Sequence, residues 1–379
     1  MARRRRIVFT IAAVLIGLVA AFILGDVFVL WWDLAAGHRP TGQAIPWTRL
    51  DDPPINDESP GGLRLRRFLD AEIRDPISGR VVRIRTNQFG FRGPMIEPKA
   101  AGELRILALG DSITLSSYTD EDESYPNQLE ALLEADGRDL SVINAGMRGA
   151  SVRESLLILT ESGIFTQPDI VIMGLFLNDA NRSRMIPLPT GLFAYSAIAR
   201  RLRESALMNE LSDDARQRWA DYAGKSYPEG PFADGAWRTD KEAFEAEVAR
   251  AAADWGFAWF EAAWKEMRPD LELMRGLCEK QGITLVVVLF PVMQQVEAEF
   301  VDDTPQRFFE AMMTEMNLPR LDLLPPMRRA YHEIDRSLAY DHCHLTPEGN
   351  ALVAEWVAEF LRPFLTCPAT TTTQRSRLD

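Results

Sequence analysis

Residues Arg105–Ser112 read RILALGDS, a short apolar run that closes on a glycine and then presents an aspartate and a serine. The same grammar recurs along the chain. Ser141–Ala145 (SVINA), Asp169–Leu177 (DIVIMGLFL) and Ile283–Phe290 (ITLVVVLF) are further runs, with Arg320–Leu324 a weaker fifth. Amphipathic stretches separate them at Pro126–Glu134, Val152–Ser162, Asp270–Gln281, Gln306–Met316 and Pro347–Phe364. Continuous apolar runs suit strands buried on both faces, and alternation with helices predicts a parallel sheet joined by right-handed crossovers.

The expected fold is α/β, a flavodoxin-like doubly wound parallel sheet of about five strands flanked by helices, with a helical insertion and an N-terminal transmembrane helix. Ligands bind such sheets beyond the carboxyl ends of the strands, so the residues that follow each run are the first to inspect.

Outward from this domain the chain changes character. Arg3–Arg6 precede an uncharged run, Ile7–Gly25, which Val27–Trp32 extends after a single Asp26. A membrane-spanning helix needs about 20 mostly apolar residues, and Trp31 and Trp32 fall where an interfacial belt belongs. Residues 1–6 are read as a cytoplasmic basic N-terminus and 7–32 as a signal-anchor, with everything beyond on the outer side of the membrane, periplasmic or extracellular. A cleaved signal peptide is the alternative, since Ala35-Ala36-Gly37 offers small residues, but its apolar region normally spans only about 7–15 residues. A core helix would not be prefaced by four arginines. Residues 33–62, rich in Pro, Gly and Asp, read as a linker. Residues 63–100 carry an expected hairpin around Asp75–Gly79 and an extension, 101–366 form the main domain, and 367–379 are a frayed tail.

The 379 residues carry a formal net charge of −13, and the four arginines leave −17 for residues 7–379. An acidic body lacks the basic surface that phosphate neutralisation needs, so nucleic acid is not an expected partner. At 46% hydrophobic residues the chain is too apolar to be mostly disordered. Three cysteines, Cys278, Cys343 and Cys367, do not make a disulfide framework, and their pairing and the oligomeric state are not legible.

Residues 180–270 break the grammar. They hold Trp219, Trp237, Trp255, Trp259 and Trp264, five of the nine tryptophans, and no convincing strand. Glu242–Met267 has helical spacing that puts Phe244, Val248, Ala251, Trp255, Trp259 and Ala263 on one face. The stretch reads as a helical insertion, its aromatic stripe either packing or forming a lid over the strand ends.

Ser112 stands directly after the first run. A serine hydroxyl is a weak nucleophile until a base takes its proton. Four histidines are present: His38 in the linker, His332 in a polar helical stretch, and His342 and His344 in Asp341-His342-Cys343-His344-Leu345-Thr346-Pro347-Glu348-Gly349. Asp341 precedes His344 by three residues, so one turn brings its carboxylate to the imidazole. Ser, Asp, His is a chain order that nucleophilic hydrolases use. The second run ends in Asn144-Ala145-Gly146 and the third in Asn178-Asp179, which supply amide donors at the same edge for a developing oxyanion.

Taken together these blocks resemble the SGNH (GDSL-type) hydrolase superfamily of lipases, esterases and carbohydrate acetylesterases, over roughly residues 83–362. The resemblance implies that Ser112 is the nucleophile and gives its own N–H to the oxyanion hole. Gly146 and the Asn178 side chain are the implied second and third donors, and Asp341 and His344 complete the triad. Thr86–Gly93 (TNQFGFRG) looks like a segment that precedes the catalytic domain in larger bacterial members. Two positions depart from the pattern: Phe176 stands where Gly-x-Asn-Asp has its glycine, and Ser116 and Ser117 stand where such members often have a glycine.

The implied activity is a serine-dependent hydrolysis of a carboxylic ester of a lipid, glycan or small molecule, with no metal or organic cofactor. An acyltransferase that modifies an envelope polysaccharide shares the same triad and remains open. A binding-only glycan module would not need the alignment of Ser112, Gly146, Asn178, Asp341 and His344. Asp341 to His344 are all potential metal ligands, yet four successive residues cannot wrap one tetrahedral ion. On this reading His342 is a surface neighbour and Cys343 a packing residue.

Overall fold

The computed structural model of the chain describes residues 65–74, 79–116, 118–180, 235–252 and 254–365, together with Gly17, Ala21, Phe22, Leu24, Gly25, Val27 and Phe28. Asp70–Arg74 (β1) and Val81–Arg85 (β2) pair antiparallel, with Asp70 opposite Arg85. β2 alternates exposed and buried positions, so Val82 and Ile84 face inward and Arg83 and Arg85 outward. The expected hairpin is therefore present, although Asp75–Ser78 lie outside the described residues.

Leu104–Leu109 (β3) opens the main domain, followed by a one-turn helix Ser112–Leu115 (α1) and Tyr125–Ala135 (α2). Leu140–Asn144 (β4), Val152–Glu161 (α3) and Ile170–Phe176 (β5) come next. After them stand Lys241–Arg250 (α4), Glu261–Gln281 (α5), Thr284–Phe290 (β6) and Met293–Glu297 (α6). Thr304–Glu315 (α7), Arg320–Asp322 (β7), Leu324–Ile334 (α8) and Pro347–Leu361 (α9) complete the domain.

The five strands are all parallel, in the order β4-β3-β5-β6-β7. The path moves one way from β3 to β4 and the other way through β5, β6 and β7. Right-handed crossovers then put the connecting helices on opposite faces. The packing agrees: α2 lies against α9, while α3 lies against α5 and α5 meets α7. Every residue of β3 and β5 is buried, which is why both read as unbroken apolar runs. β7 lies at the sheet edge and is only half-buried, which explains its weaker signal. The switch point, where strand order reverses, lies between β3 and β5.

The insertion departs from expectation in one respect. Glu242–Met267 is not a single helix: α4 ends at Arg250, a 3-10 turn covers Trp255–Trp259, and α5 begins at Glu261. Gly256 forces the break, because a Cβ there would lie 2.1 Å from the Val248 carbonyl oxygen. The chain folds back on α4 too closely for any other residue. Phe244, Val248, Ala251, Trp255 and Ala263 are nonetheless all buried, so the apolar stripe packs. α5 also starts nine residues before Asp270, running through Pro269, whose missing N–H makes the sequence look like a helix start.

Most of the expected spanning segment 7–32, the linker 33–62 and the tail 367–379 lie outside the described residues. The positions described in the first of these are helical, and Leu24, Val27 and Phe28 are exposed. Among the described residues no helix is long and apolar enough to cross a membrane.

Candidate active site

β3 delivers Ser112 through a turn that only glycine can make. Gly110 has φ +151°, and a Cβ on it would meet Thr114 Oγ1 at 2.3 Å and the Gly174 carbonyl oxygen at 2.6 Å. Asp111 caps α1, its Oδ1 accepting the Ile113 N–H at 2.9 Å. Ser112 is the first residue of that helix, so its own N–H has no intrahelical acceptor. Ser116 ends the turn in the left-handed region at φ 54°, which accounts for the glycine expected there. Its hydroxyl donates to the Ile113 carbonyl and to Asn350 Oδ1.

The histidine comes from a tight loop before α9, closed by Tyr340 N–H to the His344 carbonyl at 2.8 Å and Thr346 N–H to the Leu338 carbonyl at 2.9 Å. Inside it Asp341 Oδ1 accepts the backbone N–H groups of Cys343 (2.9 Å) and His344 (2.7 Å). Asp341 Oδ2 lies 2.6 Å from His344 Nδ1, and His344 Nε2 lies 2.9 Å from Ser112 Oγ. The three groups form one continuous hydrogen-bonded line. Asn350 joins its two halves. Its amide nitrogen donates to the Leu345 and Thr346 carbonyls, and its oxygen accepts from Ser116 Oγ and the Tyr125 N–H. The Tyr118 ring covers the imidazole at 4.3 Å between centroids.

The charges of the site set its proton affinities. Burial works against a charged His344, but the charge and hydrogen bond of Asp341 outweigh it and hold the imidazole above its ordinary value. Burial likewise opposes ionisation of Asp341, and the facing His344 overrides it, so that carboxyl falls below its usual range. Asp111 has no such partner: burial pushes it up to about 6, against the Ile113 cap bond and the His344 charge. Asp254, from the insertion, adds to the same rise.

Asn178 lies in the turn Leu177–Ala180 immediately after β5, on the far side of the switch point from Ser112. Its side chain makes no hydrogen bond among the described residues. The Trp255–Trp259 turn packs against this segment, so the insertion backs it. Phe176 ends β5 in a fully buried position, with its N–H donating to Asp179 Oδ2 at 3.0 Å. The close approach that needs a glycine occurs two residues earlier, at Gly174, where a Cβ would meet Thr114 Oγ1 at 2.6 Å.

Gly146 is placed differently from its expected role. Its N–H donates to Asn144 Oδ1 at 3.0 Å, and a Cβ on it would lie 2.2 Å from the Leu115 backbone nitrogen. It is a glycine because the β4 loop packs on the backbone of α1. Gly149, three residues on at φ +69° in a turn closed by Ala150 N–H to the Met147 carbonyl, carries an N–H without an acceptor among the described residues.

His342 is not the surface neighbour expected of it. Its side chain is 16% exposed and lies beside Phe176, with Nε2 3.8 Å from Asp254 Oδ2. Cys343 packs as expected, buried, with Sγ 3.6 Å from His344 Nδ1, and Cys278 and Cys343 are both free thiols. Asp341, His342 and Cys343 present ligand atoms within 4.8 Å of one another. An ion held there would compete for the carboxylate that already accepts from His344.

No protein-family model matches the chain, and no curated protein matches its sequence. Solved esterase structures resemble it. A lipase/acylhydrolase from Enterococcus faecalis is 16% identical at a TM-score of 0.41, over 70% of this chain and 99% of that one. A catalytic mutant of an acetylxylan esterase from Geobacillus stearothermophilus is 14% identical at 0.39, over 68% and 94%. A psychrotrophic esterase from Pseudoalteromonas sp. is 12% identical at 0.39, over 69% and 98%. Likenesses this distant carry no argument for activity, which rests on the residues of the site itself.

Proposed function

We propose that this chain is a serine esterase of the SGNH type, hydrolysing a carboxylic ester through an acyl-enzyme at Ser112. The observation that carries the reading is the hydrogen-bonded line from Ser112 Oγ through His344 to Asp341, placed beside the switch point of the sheet. With the Nδ1 proton directed to Asp341, Nε2 is the acceptor and takes the hydroxyl proton as Oγ attacks the ester carbonyl. Asp341 fixes the tautomer and stabilises the imidazolium. The Ser112 N–H and the Asn178 amide receive the oxyanion, and Gly149 is the third donor offered by the loop. The imidazolium then protonates the leaving alcohol, and water, activated by the same imidazole, releases the acid.

The substrate side is a small-molecule, lipid or glycan ester. The protein is further proposed to sit on the outer side of the cell membrane, anchored through residues 7–32 with Arg3–Arg6 inside. An acyl-enzyme also serves transfer to a sugar hydroxyl, and the two outcomes differ only in the acceptor. An activity panel of short- and long-chain acyl esters and acetylated glycans, run with and without acceptor sugars, tests the reading. Acid release in water alone supports hydrolysis. Turnover that waits for a sugar acceptor would make the protein a transferase, and no turnover of any ester would overturn the reading.

A further inference from the structure

Arg92 lies outside the strand-helix domain, in the segment after the hairpin, yet it reaches the turn that carries the nucleophile. A tight loop delivers it. Asn87 Oδ1 accepts the N–H groups of Phe89 (3.0 Å) and Phe91 (3.1 Å), and Gly90 turns the chain at φ +79°. The Arg92 N–H then bonds the Asn144 carbonyl at 3.0 Å, which pins this segment to the end of β4. The residue is 2% exposed. Its Nη1 donates to the carbonyls of Leu115 (2.8 Å) and Ser116 (2.5 Å), and Nη2 to that of Thr119 (2.6 Å).

No carboxylate forms an ion pair with this guanidinium among the described residues, and burial lowers its proton affinity to about 10, although the charges of Glu121, Asp120 and Glu123 oppose the fall. A buried cation with no carboxylate in hydrogen-bond contact is expensive to keep, so its carbonyl partners matter. Their role is geometric. Leu115 ends α1 and Ser116 caps it; no intrahelical N–H reaches either carbonyl, the Ser116 carbonyl also accepts the Thr119 N–H and hydroxyl, and the Thr114 carbonyl is taken by Asn144 Nδ2 at 2.9 Å. A planar guanidinium spans three separate carbonyls, whereas an ammonium is a point charge that cannot. Asp111 thus fixes the start of the one-turn helix and Arg92 its end, with Ser112 between them.

We propose that Arg92 is a positioning residue: it clamps the C-terminal carbonyls of α1 and so holds Ser112 Oγ at hydrogen-bond distance from His344 Nε2. The proposal rests on the serine-esterase reading above. Because Arg92 touches neither substrate nor triad, its loss changes the rate of acylation and leaves substrate binding alone. A misplacement of about 1 Å at a reacting atom costs roughly 100-fold.

The test compares the wild-type chain with R92K, R92A and R105A, reading fluorophosphonate labelling rate, kcat, KM and thermal unfolding for each. Arg105, 5% exposed, bonds the Thr166 and Glu97 carbonyls at the opposite end of β3, and it serves as the control for a buried arginine remote from Ser112. The expected result is a fall of roughly 10- to 100-fold in labelling rate and kcat for R92K and R92A, with KM within about twofold. The acid limb of the pH profile stays in place, and low concentrations of guanidinium ion, but not of methylammonium, restore part of the R92A rate. R105A loses stability with kcat unchanged for the folded fraction. A folded R92K that labels at the wild-type rate would overturn the proposal. So would losses in both Arg92 variants that merely track their folded fraction, as in R105A. Absence of labelling in the wild-type chain would instead overturn the serine-esterase reading, and this proposal with it.

Discussion

His344 Nε2 stands 2.9 Å from Ser112 Oγ although 232 positions separate the two residues in sequence. The fold brings them together from opposite ends of the domain: Ser112 follows its first strand, and His344 precedes its last helix. α9 packs on α2, and Asn350 of α9 bonds both the histidine loop and the Ser112 turn. That relationship generates the expectations that follow.

Asn350→Leu keeps side-chain volume while removing all four bonds of a buried amide. Ser116 Oγ keeps the Ile113 carbonyl and the Thr346 carbonyl keeps the residue-350 backbone N–H, but the Tyr125 N–H and the Leu345 carbonyl lose their partner. Each buried unsatisfied group costs about 1–3 kcal/mol, so urea unfolding should show a loss of several kcal/mol. Activity per folded molecule should fall as well, because the link between the two triad segments is gone.

Asn178→Ala should lower kcat by roughly 10²–10³-fold if the amide holds the oxyanion, with KM little changed. Steady-state kinetics on a short-chain ester checks this. Unchanged turnover would assign Asn178 to the turn alone.

The pH profile follows from His344. As the proposed base its imidazole must be neutral, and Asp341 and Asp111 hold it above its ordinary value. The acid limb of kcat/KM should therefore have a midpoint above about 6.5. Asp111→Asn keeps the cap acceptor for Ile113 but removes one nearby negative charge, so that midpoint should move down. Stability moves too. Asp111 is raised in the folded state to about 6, from 3.8 in the unfolded chain, so the folded state binds the extra proton. Its protonation favours folding fully below about 4, and the gain is lost as pH rises through about 6. The Asn variant should lack this dependence in urea titrations at pH 5 and 8.

Gly146→Ala should destabilise the protein by about 1–3 kcal/mol, since its Cβ would press on the Leu115 nitrogen. Gly276→Ala is the contrast. It lies inside α5 with nothing within 4 Å of the added carbon, and it should stabilise by roughly 0.5–1 kcal/mol. Thermal unfolding of both variants reads the two signs.

Much of this was legible before the structure, for identifiable reasons. β3, β5 and β6 are buried on both faces, so their apolar runs leave no ambiguity of period. Ser112, Asp341 and His344 could be found because each lies at a strand end or helix start marked by local residues. Tertiary contact decided the rest. Gly256 looks unremarkable in a helical pattern until the Val248 carbonyl lies against it. Gly146 reads as a free N–H until Asn144 Oδ1 takes it. His342 sits in a polar sequence, but Asp254 and Phe176, from distant segments, enclose it. Arg92 carries no local signature of its partners, which are backbone carbonyls in another segment, and Asn350 carries none of Ser116 and Tyr125, which come from the other end of the domain.

The central claim is that Ser112 is the nucleophile, activated by His344. Labelling the intact protein with a fluorophosphonate and mapping the modified peptide by mass spectrometry tests it most directly. The account predicts one adduct, on Ser112, lost in Ser112→Ala and strongly slowed in His344→Ala. An adduct at any other residue, or undiminished labelling of Ser112→Ala, would contradict it.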